Sequence, residues 1–158
     1  MTDPIVLRLL LVLVGLAVVV TAGTWWQRRD GRIVVTDEDA VDDEDAARLS
    51  GDQLRAVGLD LDDVAAGAVL LGSPTCAPCT TVKRILGEVA DRRDDFRWVY
   101  ADAADHLDLT REHRVLRVPT LFVVDADGRI LARTSGIPAQ DELTDVLDRG
   151  TGLDDVAA

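Results

Sequence analysis

The stretch Ser73-Pro74-Thr75-Cys76-Ala77-Pro78-Cys79 decides the fold, because it holds the chain's only two cysteines, two residues apart, where one hydrophobic pattern gives way to another. Ahead of it, Ala68-Val69-Leu70-Leu71 is a short apolar run bounded by Gly67 and Gly72, which reads as a buried strand. Behind it, Val82, Ile85, Leu86, Val89 and Ala90 recur at helical intervals, so the cysteine pair opens a helix.

A cysteine in the first turn of a helix has unpaired backbone N–H groups near its sulfur, and these favour thiolate over thiol. Cys76 is therefore the expected nucleophile. Cys79, about one turn further in, is placed to attack a mixed disulfide on Cys76 and release the substrate as a free thiol. Pro78 stiffens the turn at a position where its missing N–H is not needed, and Ala77 leaves the approach to the sulfur uncrowded. A zinc site asks for about four ligands. The chain has no second cysteine pair, and His106 and His113 stand seven apart, off an i, i+4 spacing, so no metal is expected. An inert structural disulfide stays open as the other reading of Cys76 and Cys79.

Val118-Pro119-Thr120 stands directly before the apolar run Leu121-Phe122-Val123-Val124. A proline there is either a plain strand start or a position with a special backbone role.

With these residues in this order, the segment from about Asp52 to Arg149, nearly two thirds of the chain, resembles a thioredoxin-like domain. Cys76-Ala77-Pro78-Cys79 matches the redox motif, Val118-Pro119-Thr120 the cis-proline loop, Asp127-Gly128 the hairpin turn, and Gly136 the glycine before the last helix. The resemblance implies a mixed central sheet flanked by helices, a cis bond before Pro119, and substrate backbone aligned along Val118–Thr120. It also implies a redox-active Cys76–Cys79 pair as the only redox group, with no further cofactor. The sequence departs from the family at Thr75 and Ala77, where thioredoxins carry Trp and Gly. It departs again at Leu70 and Trp98, which fall where the family places a buried acid and its lysine partner. The source of proton relay for the second cysteine is therefore left open.

The chain has 158 residues, 47% of them hydrophobic, enough for one domain plus attachments. A net charge of −12 and few aromatics argue against nucleic-acid binding. Ile5 to Trp26 reads as a transmembrane helix with Arg8 as its only charge; as a helix it would span roughly 33 Å. Trp25-Trp26 followed by Arg28-Arg29 forms an interfacial belt and basic stop, which favours a retained anchor over cleavage near Val20-Thr21-Ala22. Two arguments about sidedness conflict. Arg28, Arg29 and Arg32 outweigh Arg8 and place the domain in the cytoplasm, whereas membrane-tethered thioredoxin relatives commonly face the oxidising side.

Ile33 to Ser50 reads as a linker. Seven acids lie between Asp37 and Asp45, and like-charge repulsion extends such a run. As a flexible coil the linker would span roughly 25 Å. Ser50 or Asp52 caps a short helix through Leu54 and Val57. The expected order is then strand 68–72, helix 76–91, strand 96–101, helix 105–114, strand 120–125, strand 129–134 and helix 138–148, with Pro138 in the first turn of the last helix. Asp102 reads as a loop cap, Trp98 as core or a lid over the motif, and His106 and His113 as surface or satisfied histidines.

The resulting organisation is a tail (1–4), a transmembrane segment (5–26), a basic flank and acidic linker (27–50), an α/β thioredoxin-like domain (51–150) and a C-terminal tail (151–158). The expected activity is membrane-tethered thiol–disulfide exchange. Ala-Pro between the cysteines resembles a reducing motif more than the Pro-His of strong oxidants, which points to a disulfide reductase. Its partners would be protein disulfide substrates and an upstream electron donor. The alternative from another class is a thioredoxin-fold binding or scaffold protein with a structural Cys76–Cys79 disulfide.

Overall fold

All seven residues of Ala66–Gly72 are buried, as a strand with a partner on each side and helices over both faces requires. The computed structural model describes residues 11–21, 34–35 and 48–150. In chain order these form helix α1 (11–21), strand β1 (Val34–Val35), helix α2 (Gly51–Val57), β2 (Ala66–Gly72), α3 (Ala77–Ala90), β3 (Phe96–Asp102), α4 (Leu107–Glu112), β4 (Thr120–Asp125), β5 (Ile130–Ser135) and α5 (Gln140–Gly150).

The sheet order is β1-β5-β4-β2-β3. β2 runs parallel to β3 and antiparallel to β4, and β5 pairs antiparallel with both β4 and β1. A parallel pair needs a long crossover, and α3 supplies it between β2 and β3. The β4–β5 hairpin closes at Asp127-Gly128, where Gly128 takes a positive φ of 80° that a side chain would oppose. The Asp125 carbonyl accepts from Gly128 N–H at 3.0 Å.

Strand alternation divides the core into two layers. Ala68, Leu70, Leu121 and Val123 face Val82 and Leu86 of α3 and Leu143 and Leu147 of α5. On the other side, Val69, Leu71, Phe122 and Val124 join Leu54 and Val57 of α2 and Leu109 of α4. Ser50 caps α2 as expected, its hydroxyl accepting from Gln53 N–H at 3.2 Å while the Gln53 side chain accepts from Ser50 N–H at 2.8 Å, a reciprocal capping box.

Three expectations change. α4 is only six residues long, so His106 and His113 are its end caps rather than members. α5 starts at Gln140, leaving Pro138 ahead of the helix. Just ahead of it, Gly136 N–H is tied to the Pro119 carbonyl at 2.9 Å and Gly136 sits at φ 109°.

The third change concerns the segment read as a linker. Val34 and Val35 pair with Arg133 and Ala132 of β5, as β-branched residues at a sheet edge do readily. Arg48 bridges to Arg129, and Leu49, 1% exposed, donates its N–H to the Gly128 carbonyl at 2.8 Å. Both flanks of 36–47 are thus fastened to the β4–β5 hairpin, one on β5 and one at its turn, and the intervening acidic run lies outside the described residues.

Residues Met1–Asp30 and Gly31–Ala158 form two separate units. In the first, α1 is described over residues 11–21, roughly 17 Å of helix, with Val12 70% and Val19 69% exposed. Among the described residues no helix is long and apolar enough to cross a membrane. Residues 5–10 and 22–26 of the segment read as a span lie outside them, as do the tails 1–4 and 151–158.

Candidate active site

The chain leaves β2 at Gly72 and turns through 73–75 before α3 begins. Cys76 N–H donates to the Ser73 carbonyl at 3.1 Å and Cys79 N–H to the Cys76 carbonyl at 3.2 Å. These bonds make Cys76 the N-cap of α3, with Pro78 within the first two helical positions and no acid in the first turn. The partial positive charge of the helix start next to Cys76 is therefore not offset by a carboxylate on that turn.

Cys76 and Cys79 are joined as a disulfide, their α-carbons 5.4 Å apart. The two residues differ in access. Cys76 is half-buried, with Ala77 and Pro78 exposed beside it, whereas Cys79 is 3% exposed. A macromolecular thiol or disulfide approaching from solvent meets Cys76 first.

The Val118–Pro119 bond is cis. Thr120 pairs with Leu71 across the β2–β4 ladder, so the proline loop and the cysteine turn emerge at the same end of the sheet. The loop is pinned from several sides. The Thr120 hydroxyl donates to the Arg117 carbonyl at 2.7 Å and lies 3.1 Å from the Ser135 hydroxyl; the Pro119 carbonyl is held by Gly136. Two exposed apolar side chains stand by it, Leu116 at 93%, two residues ahead of Val118, and Ile137 at 43%, next to the Gly136 that bonds the loop. Sequence reasoning passed over both, although Leu116 stands between Val115 and Arg117 with no periodic partner.

Leu70 is fully buried in the α3-side core, and Trp98, partly buried, packs against that core at its rim. The aromatic residue next to the motif is Tyr100, paired with Leu70 across β2–β3. A β-carbon built on Gly72 would stand 2.5 Å from Tyr100 Cε2 and 3.0 Å from Cys79 Sγ. A side chain at Gly72 would therefore force the ring or the sulfur to shift. Lys83 Nζ lies 3.4 Å from the centroid of the Tyr100 ring. Burial, and secondarily the Asp102 carboxylate, push the Tyr100 phenol above its ordinary pKa. Neither Lys83 nor Tyr100 stood out by periodicity, which places Lys83 on an ordinary solvated helix face. The available signal was composition, since Lys83 is the chain's only lysine.

Other residues weighed from sequence lie elsewhere. Asp102 caps the following turn, accepting Ala104 N–H at 2.9 Å. His113 is buried edge-on against Phe122 at 5.5 Å between centroids, within the layer on the opposite face of the sheet from α3.

No protein-family model matches the chain, and no curated protein matches it. Among solved structures, a mutant thioredoxin from Halobacterium salinarum superposes with a TM-score of 0.54 at 22% identity, covering 65% of this chain and 86% of its own. A chloroplastic thioredoxin z superposes at 0.53 and 24% identity, covering 66% and 92%. The likeness is one of architecture: this chain has a thioredoxin-like α/β fold, with a Cys-x-x-Cys disulfide at the head of α3.

Proposed function

We propose that the chain is a membrane-tethered protein thiol–disulfide oxidoreductase that works as a disulfide reductase. The observation that carries the reading is the unequal pair at the start of α3, an accessible Cys76 at the helix cap and a buried Cys79 one turn on. The pinned Val118–Thr120 loop beside it and the apolar side chains of Leu116 and Ile137 suit an extended protein substrate. The apolar run from Ile5 to Trp26, with its aromatic and basic flank, is the tether.

In the reduced protein, the Cys76 thiolate attacks one sulfur of a substrate disulfide. A Cys76–substrate bond forms, the substrate S–S bond breaks, and the departing sulfur takes a proton from water. Cys79 then loses its proton and attacks Cys76 Sγ, forming the Cys76–Cys79 bond as the second substrate sulfur leaves and is protonated. Two electrons pass from the dithiol to the substrate, and a dithiol donor must return them for the next turn.

The test is reduction of insulin by the full chain, compared with Cys76→Ser and Cys79→Ser. Both variants are expected to lose turnover, with Cys79→Ser accumulating mixed disulfides and Cys76→Ser accumulating none. Unchanged turnover in both variants would instead leave a scaffold with a structural disulfide. A reduction potential near the thioredoxin value of about −270 mV supports the reducing direction, and one above roughly −150 mV overturns it.

A further inference from the structure

Lys83 is the chain's sole lysine; the other sixteen of its seventeen Lys and Arg side chains are arginine. It follows Cys79 by four residues on α3, a spacing that puts both side chains on one helix face. Its ammonium rests on the electron-rich face of Tyr100. The edge of that ring and the Cys79 sulfur close on the same point above Gly72. Lysine and sulfur therefore adjoin the same Tyr100 ring, one on its face and one near its edge.

Cys79 poses a problem that this group answers. A buried thiol resists ionisation, yet resolution of the mixed disulfide needs the Cys79 thiolate. On α3 the neighbouring groups are Cys76, whose bond is to be broken, and Lys83. From β3 come Tyr100 and Asp102, and the Asp102 carboxylate opposes a second negative charge. β2, β4 and α5 face this layer with Leu70, Leu121, Val123, Leu143 and Leu147, none of which can compensate charge.

We propose that Lys83, held by the face of Tyr100, is a positioning residue whose ammonium stabilises the Cys79 thiolate and so speeds the resolving step. This rests on the dithiol reading above and supplies the group that serves its second half. The proton of Cys79 passes to water, the sulfur's electron pair forms the bond to Cys76, and the pair of the breaking bond leaves with the substrate sulfur. A compact ammonium on a flexible stem suits this place, where charge is needed on one ring face.

The experiment titrates Cys79 alone, by thiolate absorbance, in the full chain carrying Cys76→Ser. Adding Lys83→Met is expected to raise the Cys79 pKa by about one unit, roughly tenfold less thiolate at a fixed pH. Lys83→Arg, which keeps the charge, should restore most of it. Tyr100→Leu, which removes the supporting ring, should move the titration in the same direction as Lys83→Met. With both cysteines present, the pH profile of mixed-disulfide resolution should shift to alkaline pH in Lys83→Met. Superimposable titrations with and without Lys83→Met, or equal shifts in the Met and Arg variants, overturn the inference. If those results come with normal insulin reduction, only the role of Lys83 falls. If Cys79 shifts as expected but insulin is not reduced, the role in turnover falls and the electrostatic coupling alone stands.

Discussion

Gly72 is the residue on which the inner side of the disulfide depends. Alanine there would put its methyl 2.5 Å from the Tyr100 ring edge and 3.0 Å from the Cys79 sulfur. The half-exposed ring can swing outward, but Cys79 is fixed by its helix. Gly72→Ala is therefore expected to cost about 1–3 kcal/mol, as overpacking in a tight site does, read as a lower urea midpoint. The displaced ring would also withdraw its support from Lys83. In the sequence Gly72 showed only as punctuation after an apolar run. Its steric role depends on Tyr100, which arrives from a different strand, and no local pattern reports that meeting. Cys76 and Cys79 were legible because their type and spacing are themselves the signal.

At the scale of elements, the turn from α3 into β3 is clasped by Arg93, whose side chain is 13% exposed. Its guanidinium bonds both oxygens of Asp95, at 3.1 and 3.0 Å, and also reaches Asp148 on α5. The hydrogen bond from Arg93 is the main reason the Asp95 carboxyl titrates below its ordinary range. A depressed carboxylate adds stability above its unfolded pKa of about 3.9 and loses it as pH falls through the folded value. Arg93→Met should cost about 1–2 kcal/mol at pH 7, the carboxylates being over a third open to water. Urea unfolding should show the gap between variant and parent narrowing below about pH 4. β2, α3 and the β4–β5 hairpin were readable because each has a periodic apolar run and a defined stop. β1 was not, since two valines beside an acidic run give no periodicity, and their pairing depends on a β5 edge about a hundred residues away. The ends of α4 and α5 moved because neither helix start carries a strong capping residue in the sequence.

For the molecule as a whole, the thioredoxin-like domain followed from the order of its motifs, whereas the N-terminal unit rests on composition. The full chain is expected to remain with membranes after alkaline carbonate washing, and a chain lacking residues 1–30 to be released. Recovery of the full chain in the wash would remove the tether from the proposal. Reporter fusions at the C-terminus would then decide between the two opposed arguments on sidedness.

The acidic run was expected to act as a spacer, yet at its two flanks Val35 pairs with Ala132 of β5 and Arg48 bridges to Arg129, just ahead of that strand. A single proteolytic nick between 36 and 47 would remove the covalent link between the Val34–Val35 pairing and the Arg48 bridge. The piece ahead of such a cut would then depend on non-covalent pairing with β5.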